Sequence, residues 1–271
     1  MAESLANKIV LVTGAGSPIG LGRAMTLALV RAGARVAMMD VDGVALERSA
    51  DDARALGGPN CVYPILGDVT DPSDAVRVVQ QVIADLGGLH VLINNAGINP
   101  RIDPSPSGVI VSQVPPVDWA RTFAVNVNGP FHMTRAVIEH FIAQKWGRII
   151  GVTTSLDTML RGLPYGPTKA AHEAFVASVS RELEGTGVTA NVLVPGGAVN
   201  TNMTLGTRDP SLMLDPEVMQ DPVVWLASDA SDGFNGRRII AQFWDEELPL
   251  AERLEKASAP AAWPQLGRQA T

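Results

Sequence analysis

The chain holds 271 residues, 46% of them hydrophobic and 18% charged, with a formal net charge of −7. That length suffices to bury a large core, and the acidic balance argues against nucleic acid or an anionic membrane surface as partner. The lone cysteine, Cys61, excludes an internal disulfide framework and a Cys-rich zinc site; His90, His132, His140 and His172 lack metal-ligand spacing, so no metal is expected.

Met1 to Lys8 lead into an apolar run of only Ile9 to Val12, too short for a signal peptide. No apolar stretch reaches the roughly 18 residues of a membrane span, so the sequence reads as a cytoplasmic protein with no membrane partner. Apolar runs predict strands at 8–13, 35–40, 61–65, 91–94, 148–154, 189–194 and 238–243. Pro64 cannot donate to a ladder and suits an edge, which makes the third strand the weakest. Helical periodicity falls near 19–33, 43–56, 72–86, 118–145, 165–185 and 216–228. Asp71-Pro72 and Asp215-Pro216 each read as a cap followed by a first-turn proline. Residues 100–116, with five prolines, read as a long loop. Continuous Val/Ile/Leu strands alternating with helices imply an α/β fold: one doubly wound parallel sheet of Rossmann type, covered on both faces. No linker divides residues 1–271, and a ligand is expected at the carboxyl ends of the strands.

The first strand ends in Thr13-Gly14-Ala15-Gly16-Ser17-Pro18-Ile19-Gly20. Glycines there permit a tight turn and let backbone N–H groups approach a pyrophosphate at the next helix's N-terminus. Asp40 closes the second strand, where an acid accepts from both ribose hydroxyls and repels a 2′-phosphate. No Arg or Lys lies between Gly14 and Gly20, so NAD is favoured over NADP.

One of only two tyrosines stands four residues before one of only four lysines, in Tyr165-Gly166-Pro167-Thr168-Lys169. Four residues on a helix return to the same face, so the Lys169 ammonium is expected near the Tyr165 phenol, lowering its pKa toward use as a general acid/base.

Together these motifs, with Asp68-Val69, Asn94-Asn95-Ala96-Gly97, Val125-Asn126-Val127 and Pro195-Gly196-Gly197, resemble a short-chain dehydrogenase/reductase of the classical subgroup over roughly residues 6–243. The resemblance implies a pyrophosphate turn at Gly14, Gly16 and Gly20, with Ser17 and Ile19 adding contacts, and the NAD-selecting acid at Asp40. It implies Asp68 and Val69 beside the adenine, and Asn95, Ala96 and Gly97 beneath the cofactor. Asn126 would hold a proton-relay water, Tyr165 would be the catalytic acid/base, and Lys169 would bind the nicotinamide ribose. Pro195, Gly196, Val199 and Thr201 would touch the nicotinamide. A homo-oligomer, tetramer or dimer, is implied through the helices near 118–145 and 165–185, where Ala170, Ala171, Ala174 and Ala177 permit close packing.

The family's catalytic serine usually lies 13 residues before the tyrosine, where this chain has Val152. Aligning the fifth strand instead puts Thr154 there, while Ser155 is the actual serine; both hydroxyls remain candidates for orienting the substrate oxygen. The shortened loop between Leu156 and Pro164 carries Asp157 and Arg161, charges that face either substrate or solvent. Met203, Leu205, Leu212, Met213, Leu214 and Met219 mark 199–220 as a substrate lid or as ordinary core packing. The tail 245–271 carries no motif, and packing at a subunit interface or over the pocket are both open. The sequence thus points to an NAD-dependent alcohol dehydrogenase/ketone reductase acting on a small secondary alcohol or ketone. An epimerase or dehydratase on the same fold, and an inactive NAD-binding regulatory protein, are the rival readings.

Overall fold

The structure of the chain, a computed structural model, describes residues 4–100, 109–207 and 209–264. Strand β1 (Ile9–Thr13) is buried at every position, as an unbroken apolar run requires when both faces of a sheet are covered. It is joined by β2 (Arg35–Asp40), β3 (Val62–Leu66), β4 (Val91–Asn94), β5 (Gly147–Val152), β6 (Val188–Val194), β7 (Arg237–Ile240) and β8 (Ser258–Pro260). The sheet order is β3-β2-β1-β4-β5-β6-β7-β8, parallel throughout except for β8, which runs antiparallel to β7. Strand order reverses between β1 and β4, and a crevice opens at such a point. Pro64 lies in β3, on the free edge, with Met38 as its partner in β2.

The helices are α1 (Leu21–Arg31), α2 (Gly43–Gly57), α3 (Pro72–Leu86), α4 (Pro116–Phe123), α5 (Gly129–Gln144), α6 (Leu156–Arg161), α7 (Tyr165–Glu182), α8 (Gln220–Ala227) and α9 (Leu250–Ala257). Alternate residues of β1 feed two cores. Val10 and Val12 share one with Met25, Leu29, Leu46, Val223 and Leu226 of α1, α2 and α8. Ile9 and Leu11 share the other with Val78, Val82, Met133, Phe141 and Val176 of α3, α5 and α7. Asp42 and Asp71 cap α2 and α3 by accepting N–H groups of the first turn. Asp215-Pro216 opens a single 3-10 turn, Pro216–Met219, ahead of α8.

Three sequence boundaries are corrected. The helix expected over 118–145 is broken by a π-helical turn at Ala124–Asn128. Pro130, in the first turn of α5, has no N–H to return to the Asn126 carbonyl, so the regular ladder cannot run through. The fifth strand stops at Val152 rather than 154, because the chain leaves the sheet to enter α6, capped by Ser155. The seventh stops at Ile240 and turns through Ala241–Phe243, with the Gln242 N–H donating to the Pro195 carbonyl. Part of the expected loop, 101–108, lies outside the described residues; the remainder includes one 3-10 turn, Val111–Gln113. The tail forms α9 and then β8, which adds to the sheet beside β7. Among the described residues no helix is long and apolar enough to cross a membrane.

Candidate active site

The glycine turn is shaped by close approach of backbones. Gly14 has φ +68°, and a Cβ there would stand 2.7 Å from the Ala96 Cα. A Cβ on Gly22, which the motif reading passed over, would collide with the Gly14 carbonyl oxygen. The Gly-x-Gly spacing of Gly20 and Gly22 was the available signal. The Gly16 N–H donates to Asp40 Oδ2 at 2.8 Å, and Asp40 Oδ1 accepts from the Asp42 N–H at 3.1 Å, so the acid is clamped beside the turn. Gly20 precedes α1 in extended backbone with no side-chain cap, leaving first-turn N–H groups for a ligand or water. Pro18 removes one N–H from this turn. Ile19 is exposed, and the Ser17 hydroxyl accepts from the Asn202 amide at 3.1 Å, linking residues 199–220 to the turn. Nothing in the sequence marked Asn202.

Thr13 locks the neighbouring strand ends together. Its hydroxyl donates to the Ile93 carbonyl and accepts from the N–H groups of Asn95 and Ala96. The Asn95 amide donates to the carbonyls of Thr13 and Gly14. Asn95, Ala96 and Gly97 therefore run directly against the glycine turn. Asp68, past the end of β3, accepts from the Thr70 N–H and hydroxyl; Val69 is buried against Gly129, where a Cβ would meet its Cγ2 at 2.7 Å.

The π-helical turn delivers Asn126, wholly buried, to the start of α7. Its oxygen accepts from the Ile98 N–H at 2.8 Å, and its amide donates to the Ile98 carbonyl and the Thr168 hydroxyl, each at 2.9 Å. Thr168 donates onward to the Tyr165 carbonyl at 2.6 Å. Lys169 is buried and donates to the Val152 carbonyl at 2.8 Å. A Cβ on Gly97 would lie 3.3 Å from Lys169 Nζ and 3.4 Å from Asn126 Oδ1, so these three residues meet at one point.

Lys169 Nζ stands 5.6 Å from the centroid of the Tyr165 ring. The expected lowering of the phenol pKa is not what this geometry gives. Tyr165 is half-buried, and loss of water around its phenol pushes it above the ordinary range, while burial lowers Lys169 to about 8. The ammonium is committed to Val152, too far from the phenol to reverse the desolvation. His172, one turn on, is fully buried with both ring nitrogens unpartnered among the described residues, and burial holds it well below the ordinary histidine value.

Beyond β5 the two candidate hydroxyls differ. Ser155 Oγ accepts from the Thr158 N–H at 3.3 Å and contacts the Thr158 hydroxyl at 3.1 Å, as the cap of α6. The Thr154 hydroxyl makes no hydrogen bond among the described residues, and its backbone carbonyl accepts from Arg238 at 3.1 Å. Asp157 and Arg161 are exposed and pair with each other at 2.7 Å, which places these charges in solvent. After β6, Pro195 and Gly196 (φ +106°) pack on Gln242, and Val199 bridges to Leu214. The Thr201 N–H donates to the Thr204 hydroxyl oxygen at 3.0 Å. Within 199–220, Met219 is core, whereas Leu205 and Leu212 are exposed.

The family described as short chain dehydrogenase matches residues 8–211. The chain is 30% identical over 250 residues to the 3-oxoacyl-acyl-carrier-protein reductase of Thermotoga maritima, covering 87% of this chain and 96% of that one. It is 35% identical over 201 residues to the 2,3-dihydro-2,3-dihydroxybenzoate dehydrogenase of Escherichia coli, covering 72% and 71%. The crystal structure of a 3-ketoacyl-(acyl-carrier-protein) reductase from Brucella melitensis complexed with NADH superposes with a TM-score of 0.75 at 25% identity, covering 86% of this chain and 95% of that one. The doubly wound sheet thus has its counterpart in known oxidoreductases, and the chain belongs to the short-chain dehydrogenase/reductase family.

Proposed function

We propose that the chain is an NAD-dependent oxidoreductase interconverting a secondary alcohol and a ketone, with Tyr165 as general acid/base. The observation that carries this reading is the meeting of Asn126, Lys169 and the first turn of α7 beside Gly97, one strand from the glycine turn.

The residues fit a dinucleotide. Gly14 at φ +68°, the uncapped start of α1 and the clamped Asp40 supply a close backbone approach, free N–H donors and an acceptor for ribose hydroxyls. Gly14, Gly16, Ser17, Ile19 and Gly20 would hold the pyrophosphate, Asp40 the adenosine ribose, and Asp68 and Val69 the adenine. Asn95, Ala96 and Gly97 would underlie the cofactor; Tyr165 and Lys169 would hold the nicotinamide ribose, and Pro195, Gly196, Val199 and Thr201 the nicotinamide end. A bound nicotinamide supplies the acceptor or donor of hydride.

The chain's own residues manage the proton. Tyr165 Oη exchanges it with the substrate oxygen, and the buried Lys169 ammonium stabilises the phenolate whenever it forms. Thr154, whose hydroxyl has no internal bond among the described residues, donates to the substrate oxygen; Ser155 is occupied as a cap. Asn126 fixes Ile98 and α7 and sustains a water path outward. Residues 199–220 serve as the lid of a single domain whose core is 6–243. Ala170, Ala171 and Ala177 are half-buried and Ala174 exposed, which supports an outward stripe on α7 for a homo-oligomer.

Related structures bear NADH or NADP, so the preference for NAD rests on Asp40. The test is an absorbance screen of cyclic, aromatic and terpenoid secondary alcohols and hydroxy acids with NAD⁺ and NADP⁺ in parallel. NADH production, with NADP⁺ slower and improved by Asp40→Ser, is the expected result. A folded, NADH-binding protein that reduces neither cofactor with any alcohol would contradict the proposal.

A further inference from the structure

Beneath the corner that presents Thr154 lies a buried ion pair that the proposed chemistry does not use. Glu173 of α7 is wholly buried and Arg238 of β7 nearly so, with Arg238 Nη1 3.6 Å from Glu173 Oε1. Glu173 Oε2 accepts from the Thr153 hydroxyl at 3.1 Å. Glu173 Oε1 also accepts from the Ala262 N–H at 3.2 Å, a residue of the C-terminal segment. Arg238 Nη2 donates to the Thr154 carbonyl at 3.1 Å. Thr153 is thus held by its side chain and Thr154 by its backbone, and neither hold consumes the Thr154 hydroxyl.

Two apolar side chains of similar volume would serve packing as well as a buried pair, which must first shed its water. The pair is not arranged for its own satisfaction either: Arg238 Nε is buried without a partner among the described residues. What the two charges do achieve is to fix one corner of backbone and to bind the C-terminal segment to it. The tail, left without a role by its sequence, reaches the site through this carboxylate.

We propose that Glu173 and Arg238 are positioning residues: they hold the Thr153–Thr154 corner so that the Thr154 hydroxyl meets the substrate oxygen, and they couple the segment around Ala262 to that corner. The kinetic part rests on the reading of Thr154 given above; the structural part does not.

The test compares Arg238→Met, Glu173→Met and the double variant by thermal melting and by amide hydrogen exchange on ligand-free protein. Each single variant leaves a buried charge alone and melts early; the double variant recovers stability. In the double variant, exchange at residues 153–158 and 261–264 rises about tenfold while β1 and β4 stay protected. Unchanged exchange at these segments in the folded double variant overturns the proposal. Should that variant not fold, Arg238→Lys decides: a single nitrogen replaces the Nη1 and Nη2 that reach Glu173 and the Thr154 carbonyl separately, so exchange at 153–158 rises, and no rise overturns the proposal. With the fastest alcohol of the screen, the double variant loses about tenfold in kcat at unchanged NADH affinity. Adding Thr154→Ala to it brings kcat down only to the level of Thr154→Ala alone, so the two losses do not multiply. A full kcat in the double variant, or losses that multiply, overturns the positioning role. Thr154→Ala with full kcat instead contradicts the Thr154 reading, and the exchange result then still judges the hold on the corner.

Discussion

Replacing Asn126 with leucine keeps most of the side-chain volume and removes every polar atom that ties the π-helical turn to its surroundings. The Ile98 N–H and carbonyl lose their partners, bonds of 2.8 and 2.9 Å, while Thr168 loses one neighbour and keeps its donation to Tyr165. A buried backbone group left unpaired costs about 1–3 kcal/mol. Ile98 is half-buried, so water can reach part of it and the total falls at about 2–4 kcal/mol. For a chain of 271 residues that corresponds to a fall in Tm of about 4–8 °C. Circular dichroism melts of wild type and Asn126→Leu measure it, with Asn202→Leu as a control that breaks one exposed bond and stays within about 0.5 kcal/mol. An Asn126→Leu protein that melts within a degree or so of wild type would refute the claim that this residue fastens the site.

Burial lowers Lys169 to about 8 from an ordinary 10.5, so between those pH values the unfolded chain binds more protons than the folded one. Stability therefore rises with pH across that window, by on the order of 3 kcal/mol, relative to Lys169→Met, and urea titrations of both proteins reveal it. Tyr165 is raised rather than lowered, so its stabilisation is complete below about pH 10 and fades only above that window. Wild-type and Lys169→Met curves that run parallel would contradict the assignment. Thr154→Ala lowers kcat by about 10²–10³-fold, whereas Ser155→Ala mainly loosens α6, at about 1 kcal/mol in a melt; a reversed pattern would exchange their roles. Gly22→Ala drives a Cβ into the Gly14 carbonyl, so NADH affinity measured by fluorescence falls at least about tenfold; unchanged affinity would show that the turn yields freely.

The parts of this fold that were legible in the sequence are those where one local rule governs. Unbroken apolar runs gave the strands, Pro64 marked the edge, and Asp71-Pro72 marked the start of α3. Most of the candidate cofactor contacts were legible as candidates because they lie at or just after strand ends. Asn126 was recognised by its motif, yet the break that presents it was missed, although Pro130 carried the signal. The proposal of Thr154 over Ser155 rests on which hydroxyl caps the next helix, a matter of where β5 ends. Glu173, Arg238 and Ala262 were illegible, since nothing local links residues so far apart in the chain. The direction of the Tyr165 shift failed because helical spacing gives proximity and not burial, and here burial dominates.

The account stands on Tyr165 as the group that moves the proton. Tyr165→Phe removes one oxygen and leaves the ring packing intact, so NADH binding by fluorescence titration weakens by no more than the one ribose contact, about tenfold at most. Turnover of the best secondary alcohol by the same protein should fall by on the order of 10²–10⁴ in kcat or more. Undiminished kcat in a Tyr165→Phe variant that binds NADH normally would contradict the account at its centre.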